Sequence, residues 1–447
     1  MSGTRPNLGR AESGRLRCLA LIPAIAVLSA VLVGWGDAAH ETVTDTAFSR
    51  LLPPPLSTWY AQHKTEVLKA SLSADNRSAA LRSEIDRMTV ALEQAKDRPA
   101  IERHIESLRR RVTTERSKHY FDLDALTDAK PPFADFPHDE AAARKAVGEF
   151  LLRSDRSRAA ELLGLEADAL PAVLPPAEVD RLGQAAMNEL GTLPWAIRDQ
   201  MTLLTEAFRN RRLDHLPQVI GDLAHYVTDL HQPLHTTRHY DGPSAQQAGV
   251  HKALEIDLIN RFRAHYGELP QGYLRRYDEQ TYPLQAMDLV FRRIAENATV
   301  IEPLMAADDQ ARRASGVGSE DLAWLKSLDR EERDALIQTA DVSKLDDRRR
   351  RVVGYVEALQ KNVTGEGLDD GPRRWMGQAA SSLAALVYSA WLEADRPPLS
   401  PPAPKPETRK PPIADWLLYL PGVVLLGIVL ATILGRRPKP PDESDLD

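Results

Sequence analysis

The stretch that decides the reading is residues 221–255, GDLAHYVTDLHQPLHTTRHYDGPSAQQAGVHKALE. Apolar residues recur at helical spacing through 215–231, and His225 and Asp229, four apart, fall on one helical face. Pro233 predicts a break, and His235 follows six residues after Asp229. His251 and Glu255 repeat the four-residue spacing on what reads as the next helix. Two helices that each offer a nitrogen and an oxygen donor make a natural metal site within a helical bundle. Imidazole and carboxylate suit zinc, and the only cysteine of the chain, Cys18, lies far from this stretch.

Outward from this stretch the helical period continues. It appears at 140–163, 177–209, 250–264 and 374–394, with no alternating strand pattern, so the fold class expected is all-α. Pro-rich stretches at 52–56 and 170–178 punctuate the helices. Residues 78–116 are dense in Arg and Glu and read as a solvated helical hairpin, one of two charged insertions. The other spans 307–370 and contains DDRRRR at 346–351. That basic run reads as a solvated helix face or as a contact for anionic lipid or nucleic acid.

The chain of 447 residues is 43% apolar and 27% charged, an ordinary globular composition with membrane segments added. A net charge of −7 gives no global basic field and argues against tight duplex binding. With one cysteine, no internal disulfide is possible, so stability outside the cell would rest on packing or metal ions. Four arginines precede the apolar run 18–34, the pattern of an export signal or an uncleaved N-terminal anchor. A Pro-rich linker at 398–413 leads into an apolar run, within 414–435, long enough to span a bilayer. Arg436, Arg437 and Lys439 then place the tail 436–447 in the cytoplasm and the domain 35–397 outside it, periplasmic or at the cell surface.

HYVTDLHQPLH at 225–235, followed by GVHKALE at 249–255, resembles the family that unites bacterial zinc-dependent phospholipases C with single-strand-specific zinc nucleases. The resemblance extends to WGDAAH (35–40), KHYFDLD (118–124), GTLPW (191–195) and YSAWLEADRP (388–397), and so covers most of 35–397 apart from the insertions. It implies a multi-helix bundle around three zinc ions. One would be held by Asp75, His119, His225 and Asp229. Asp229 would bridge to a second, held also by His40 and by the freed amine and carbonyl of Trp35 after cleavage at Gly34. His235, His251 and Glu255 would hold the third. Asp86 is the alternative to Asp75. His138, His231, His239 and Asp241 sit near the ligands without aligning with them and read as supporting or surface groups.

The function implied is hydrolysis of phosphate diesters through a metal-activated hydroxide, with Asp229 and Asp75 as catalytic residues. The substrate is phospholipid or single-stranded nucleic acid, for which Tyr120 would stack a base and Asp122 read its edge. Glu255 as last ligand resembles the phospholipases, and the WGDAAH start resembles the nucleases. A reading from another class is a zinc-binding surface or assembly protein without catalysis. No obligate protein partner is evident.

Overall fold

The structure, a computed structural model, describes residues 36–92, 98–126, 136–276 and 285–400. Among them every regular element is helical, so the all-α expectation holds. The early elements are α1 (Asp37–Thr46), α2 (Pro54–Ser71), α3 (Ser73–Leu92) and α4 (Arg98–Ser117). Next come α5 (Glu140–Ser154), α6 (Arg156–Leu163), α7 (Pro176–Leu190), α8 (Leu193–Arg209) and α9 (Leu216–Leu230). Three short helical pieces follow, α10 (Val250–Lys252), α11 (Leu258–Arg261) and α12 (Arg263–Tyr266). The remainder are α13 (Ala286–Ala298), α14 (Ile301–Ser315), α15 (Ser319–Ser327), α16 (Arg330–Ile337), α17 (Asp347–Val363) and α18 (Gly371–Glu393). Proline stands in the first turn of α2, α7, α8, α9 and α18, where its missing N–H costs no helical hydrogen bond. Each Pro-rich stretch thus supplies a helix start, Pro54 for α2 and Pro176 for α7.

Helix α9 is the axis of the unit. Its last eight residues, Leu223 to Leu230, are all buried, because α1, α2, α8 and α18 pack around it. A helix apolar on all sides is stable only when enclosed in this way. The polar residues it carries inward, His225 and Asp229, are therefore held in a dry core. Gly221 sets the approach of α2. A Cβ at 221 would lie 2.4 Å from the Cβ of Ala70 and 2.6 Å from its carbonyl carbon. That contact brings the Ser71 carbonyl to His225.

Helices α3 and α4 pack against each other as a hairpin based on Ala74, Ser78, Ile105 and Leu108. At its base Arg77 pairs with Glu115 at 2.7 Å and with Asp222 of α9 at 2.8 Å, which anchors the hairpin beside the core.

The 307–370 segment, the second of the charged insertions, contributes to the main core. Val352, Val353, Tyr355, Val356 and Leu359 of α17 are fully buried, and α17 packs on α14. The arginines of the 346–351 run are matched locally. Arg349 and Arg350 pair with Asp346 and Asp347, and Arg348 and Arg351 with the buried Asp321.

No helix among the described residues is long and apolar enough to cross a membrane. The N-terminal run 18–34, the linker and the apolar run within 414–435 lie outside the described residues.

Replacing Gly221 by Ala must push α2 away from α9. The expected result is a loss of about 1–3 kcal/mol in urea unfolding. A change within about 0.5 kcal/mol, ordinary for a surface site, would show that the two helices can part freely.

Candidate metal centre

Three groups of side chains each bring their potential ligand atoms within 4.8 Å of one another: His40 with His225 and Asp229, Asp75 with His119 and His225, and His235 with His251 and Glu255. Each could hold a metal ion. The groups share residues and run into one another. Asp229 Oδ2 lies 3.0 Å from His119 Nδ1 and 3.2 Å from His225 Nε2, while its Oδ1 faces His40 Nε2 at 3.6 Å. Asp75 Oδ1 stands 3.7 Å from both His119 Nδ1 and His225 Nε2. His235 Nε2 and His251 Nε2 approach Glu255 Oε1 at 2.7 and 2.6 Å.

Local structure explains how the residues meet. His225 and Asp229 project from one face of α9. His40 comes from α1 and stacks on the His225 ring at 4.2 Å. Asp75 lies in the first turn of α3 and His119 just beyond α4, so the two ends of the hairpin deliver both ligands across its intervening length. His235 sits in a 3-10 turn, Pro233–Thr236, directly after α9. Between α10 and α11 the chain makes a π-helical turn, Ala253–Asp257, which holds Glu255. Such turns are rare and gather at functional sites.

A second layer fixes the rings. His225 Nδ1 donates to the Ser71 carbonyl at 2.8 Å, and His235 Nδ1 to the His119 carbonyl at 2.6 Å. In the neutral rings both Nε2 atoms then carry lone pairs directed into the centre. Gln232 donates to Glu255 Oε1 at 2.9 Å and accepts from the Leu234 N–H, locking that carboxylate. The Asp241 carboxylate accepts from the N–H groups of Gly249 and His251.

The arrangement calls for a cation. His225 Nε2 lies 3.0 Å from His119 Nδ1, and His235 Nε2 lies 3.1 Å from His251 Nε2. Lone pairs facing at these distances repel unless a proton or a metal ion sits between or beside them. Both ring nitrogens of His40, Asp75 Oδ1 and Asp229 Oδ1 are buried without a hydrogen-bond partner. Four unsatisfied atoms in one cluster are unusual in a folded interior, where polar groups are paired. They are the atoms that ligation would satisfy, so the residues fit a metal ion.

Protonation tells the same story. Burial alone would depress His225 and His235. Asp229 together with Asp75 and the Ser71 carbonyl for the first, and with Glu255 and the His119 carbonyl for the second, outweighs it, and both rise to about 9. Burial would raise Asp229, but His225 and His235 hold it well below the usual carboxylate range. His40 is lowered well below an ordinary histidine by burial and by His225. Asp75 is raised, first by burial.

Trp35 lies outside the described residues. Its neighbour Gly36 donates its N–H to the Glu255 carbonyl at 3.3 Å, so the start of the described chain runs along the third group. Asp86 is exposed further along α3 and belongs to none of the groups. Tyr120 is only 8% exposed, with the Arg116 guanidinium 6.0 Å from its ring centroid, and burial pushes its hydroxyl up to about 12. Asp122 is raised well above the carboxylate range by burial and by Asp124.

His231 is buried and bonds to Val227 and Ser382, away from the ligand groups. His138 stacks on Phe291 and His239 accepts from Arg238. Gln232 and the Ser71 carbonyl escaped sequence reading. Gln232 stands within the quoted HQPLH run, whereas nothing in the sequence marks a backbone carbonyl as a partner.

Comparison with known protein families, curated proteins and solved structures finds no match. What fold and site define is an all-helical protein with three adjoining groups of residues able to hold metal ions.

The raised histidines make a signed prediction for chelator-treated protein. Their charged forms contribute stability that is fully present below about pH 6.5, the ordinary histidine value, and is lost as pH rises through about 9. The urea midpoint should fall across that window, and excess zinc should reverse the trend because metal replaces the protons. A midpoint that stays level or rises from pH 6.5 to 9 without metal would contradict the assignment.

Proposed function

We propose that this chain is a zinc-dependent phosphodiester hydrolase whose centre is built by Asp75, His119, His225, Asp229, His40, His235, His251 and Glu255, with Trp35 as a further ligand. The observation that carries the reading is the set of unsatisfied, converging donor atoms at His40, Asp75 and Asp229 beside facing histidine nitrogens. The resemblance of HYVTDLHQPLH and GVHKALE to the zinc phospholipase C and nuclease family supplies the chemistry. Donors of nitrogen and oxygen without thiolate suit zinc. Zinc so held supplies hydroxide near neutral pH and neutralises phosphate charge.

The chain's own residues divide the remaining work. Asp229, fully buried between three imidazoles, spans two ligand groups with its two oxygens and fixes their separation. Gln232 and the Ser71 and His119 carbonyls hold Glu255, His225 and His235 in orientation, so no ring must turn when a substrate arrives. Asp75 is 19% exposed, whereas Asp229 and Glu255 are sealed. It is the carboxylate of the centre that can exchange protons with solvent, which suits it to accept the proton of the attacking water.

Between the two substrates, the buried ring of Tyr120 favours phospholipid. A side chain that is 8% exposed offers little face for a base to stack upon. A position outside the cell, tethered by the run within 414–435, belongs to the same proposal.

Two measurements follow. His235→Ala and Asp229→Asn should each lower diesterase turnover by roughly 100-fold or more, since even supporting residues of metal sites cost about 10–100-fold. Full activity with full zinc content in either variant would defeat the reading. Offered phosphatidylcholine and single-stranded DNA side by side, the enzyme should turn over the lipid. Turnover of DNA alone would reverse the substrate preference, and zinc content without turnover of either would identify a silent zinc-binding protein.

A further inference from the structure

A second charged feature lies apart from the ligand groups. An open bowl of about 280 Å³ is lined by residues of α13 and α18, the turn at Gln271–Tyr273 and the end of α9. It falls just below the roughly 300–1,000 Å³ of pockets for drug-sized ligands and suits something smaller.

Its charge is lopsided. Among the described residues, Arg275, Arg292 and Arg293 line it against one carboxylate, Glu296. Glu296 pairs with Arg293 Nη1 at 2.8 Å and is itself 53% exposed. Among the described residues the guanidinium groups of Arg275 and Arg292 make no ion pair, and both side chains are exposed. Arg293 is different. It is 7% exposed, and its Nε is buried with no hydrogen-bond partner. Burial and the neighbouring Arg374 lower it to about 10 against the pull of Glu296, so it stays charged near neutral pH.

The opposite wall is neutral, and there Gln378 Oε1 is buried without a hydrogen-bond partner while His231 and Ser382 satisfy each other. His231 Nδ1 donates to the Val227 carbonyl, which leaves Nε2 to accept from the Ser382 hydroxyl at 3.1 Å. The lining thus offers unpaired guanidinium donors on one side and, on the other, an amide whose oxygen and nitrogen ends exchange by a flip. A buried N–H without an acceptor, flanked by two guanidinium groups that no described carboxylate pairs, is a donor set for an oxyanion, and the planar fork of arginine matches phosphate oxygens. A cation is disfavoured by the positive excess, and an apolar ligand would leave the Arg293 Nε unpaired.

We propose that this bowl binds a small phosphate-class oxyanion, with Arg293 as its buried anchor and Arg275 and Arg292 closing on the anion from the rim. The ligand is either free phosphate or the phosphate group of a monoester. The site does not depend on the hydrolase reading, because none of its anchoring residues belongs to the metal centre.

Phenylglyoxal modification followed residue by residue with peptide mass spectrometry tests this on the intact, zinc-loaded protein. Inorganic phosphate at about ten times its dissociation constant should slow modification of Arg275 and Arg292 by roughly tenfold, at ionic strength matched with chloride. Arg87 and Arg103, exposed on the α3–α4 hairpin, should keep their rates. Glycerol phosphate provides the second arm, and the stronger protector distinguishes the monoester from the free ion. Protection should vanish in Arg293→Gln, whose folding is checked by circular dichroism. The wild-type comparison stands even if that variant does not fold. Unchanged rates at Arg275 and Arg292 with both compounds, or equal slowing at Arg87 and Arg103, would overturn the proposal.

Discussion

Asp229 has no access to solvent, and its two oxygens face His40 on one side and His119 and His225 on the other. A buried carboxylate is tolerated only when opposite charge and hydrogen bonds surround it. Much of the architecture answers that demand. Helix α9 carries Asp229 into the core, α1 brings His40, α2 supplies the carbonyl that orients His225, and the ends of the α3–α4 hairpin bring Asp75 and His119. Apolar packing around α9 shields most of the cluster from solvent, which strengthens each electrostatic contact and makes each unpaired atom more costly.

The two halves of the centre are joined through short, stiff connections. The 3-10 turn after α9 places His235 six residues from Asp229, and the His119 carbonyl accepts from the His235 ring. His119 thus touches the Asp229 cluster with its ring and the Glu255 cluster with its backbone. The π-helical turn at 253–257 holds Glu255 and Asp257, and Asp257 forms a buried two-point ion pair with Arg333 of α16. Displacing one group should therefore disturb its neighbours, and single substitutions here should not act additively.

Part of this was legible in the sequence. Helical periodicity puts His225 with Asp229 and His251 with Glu255 on common faces, and Pro233 marks the break that lets His235 turn back. Long-range meetings were not legible from spacing. The approach of Asp75 to His119 spans the whole hairpin, and it depends on Arg77 tying that hairpin to Asp222 and Glu115. At 307–370 charge density alone does not show the buried face of α17. Arg348 to Arg351 read as a solvated surface, and the valines that follow them, Val352, Val353 and Val356, fill the core once α17 lies on α14. The basic bowl was invisible, because Arg275, Arg292 and Arg293 acquire a common cavity only through the packing of α13 on its neighbours.

The account stands or falls on whether the converging donors are metal ligands. Metal content of the intact chain, purified after dialysis against zinc and then against metal-free buffer, measures this directly. Three zinc ions per chain are expected, with Asp229 shared between two of them. Protein that retains no zinc under these conditions, while remaining folded, would contradict it.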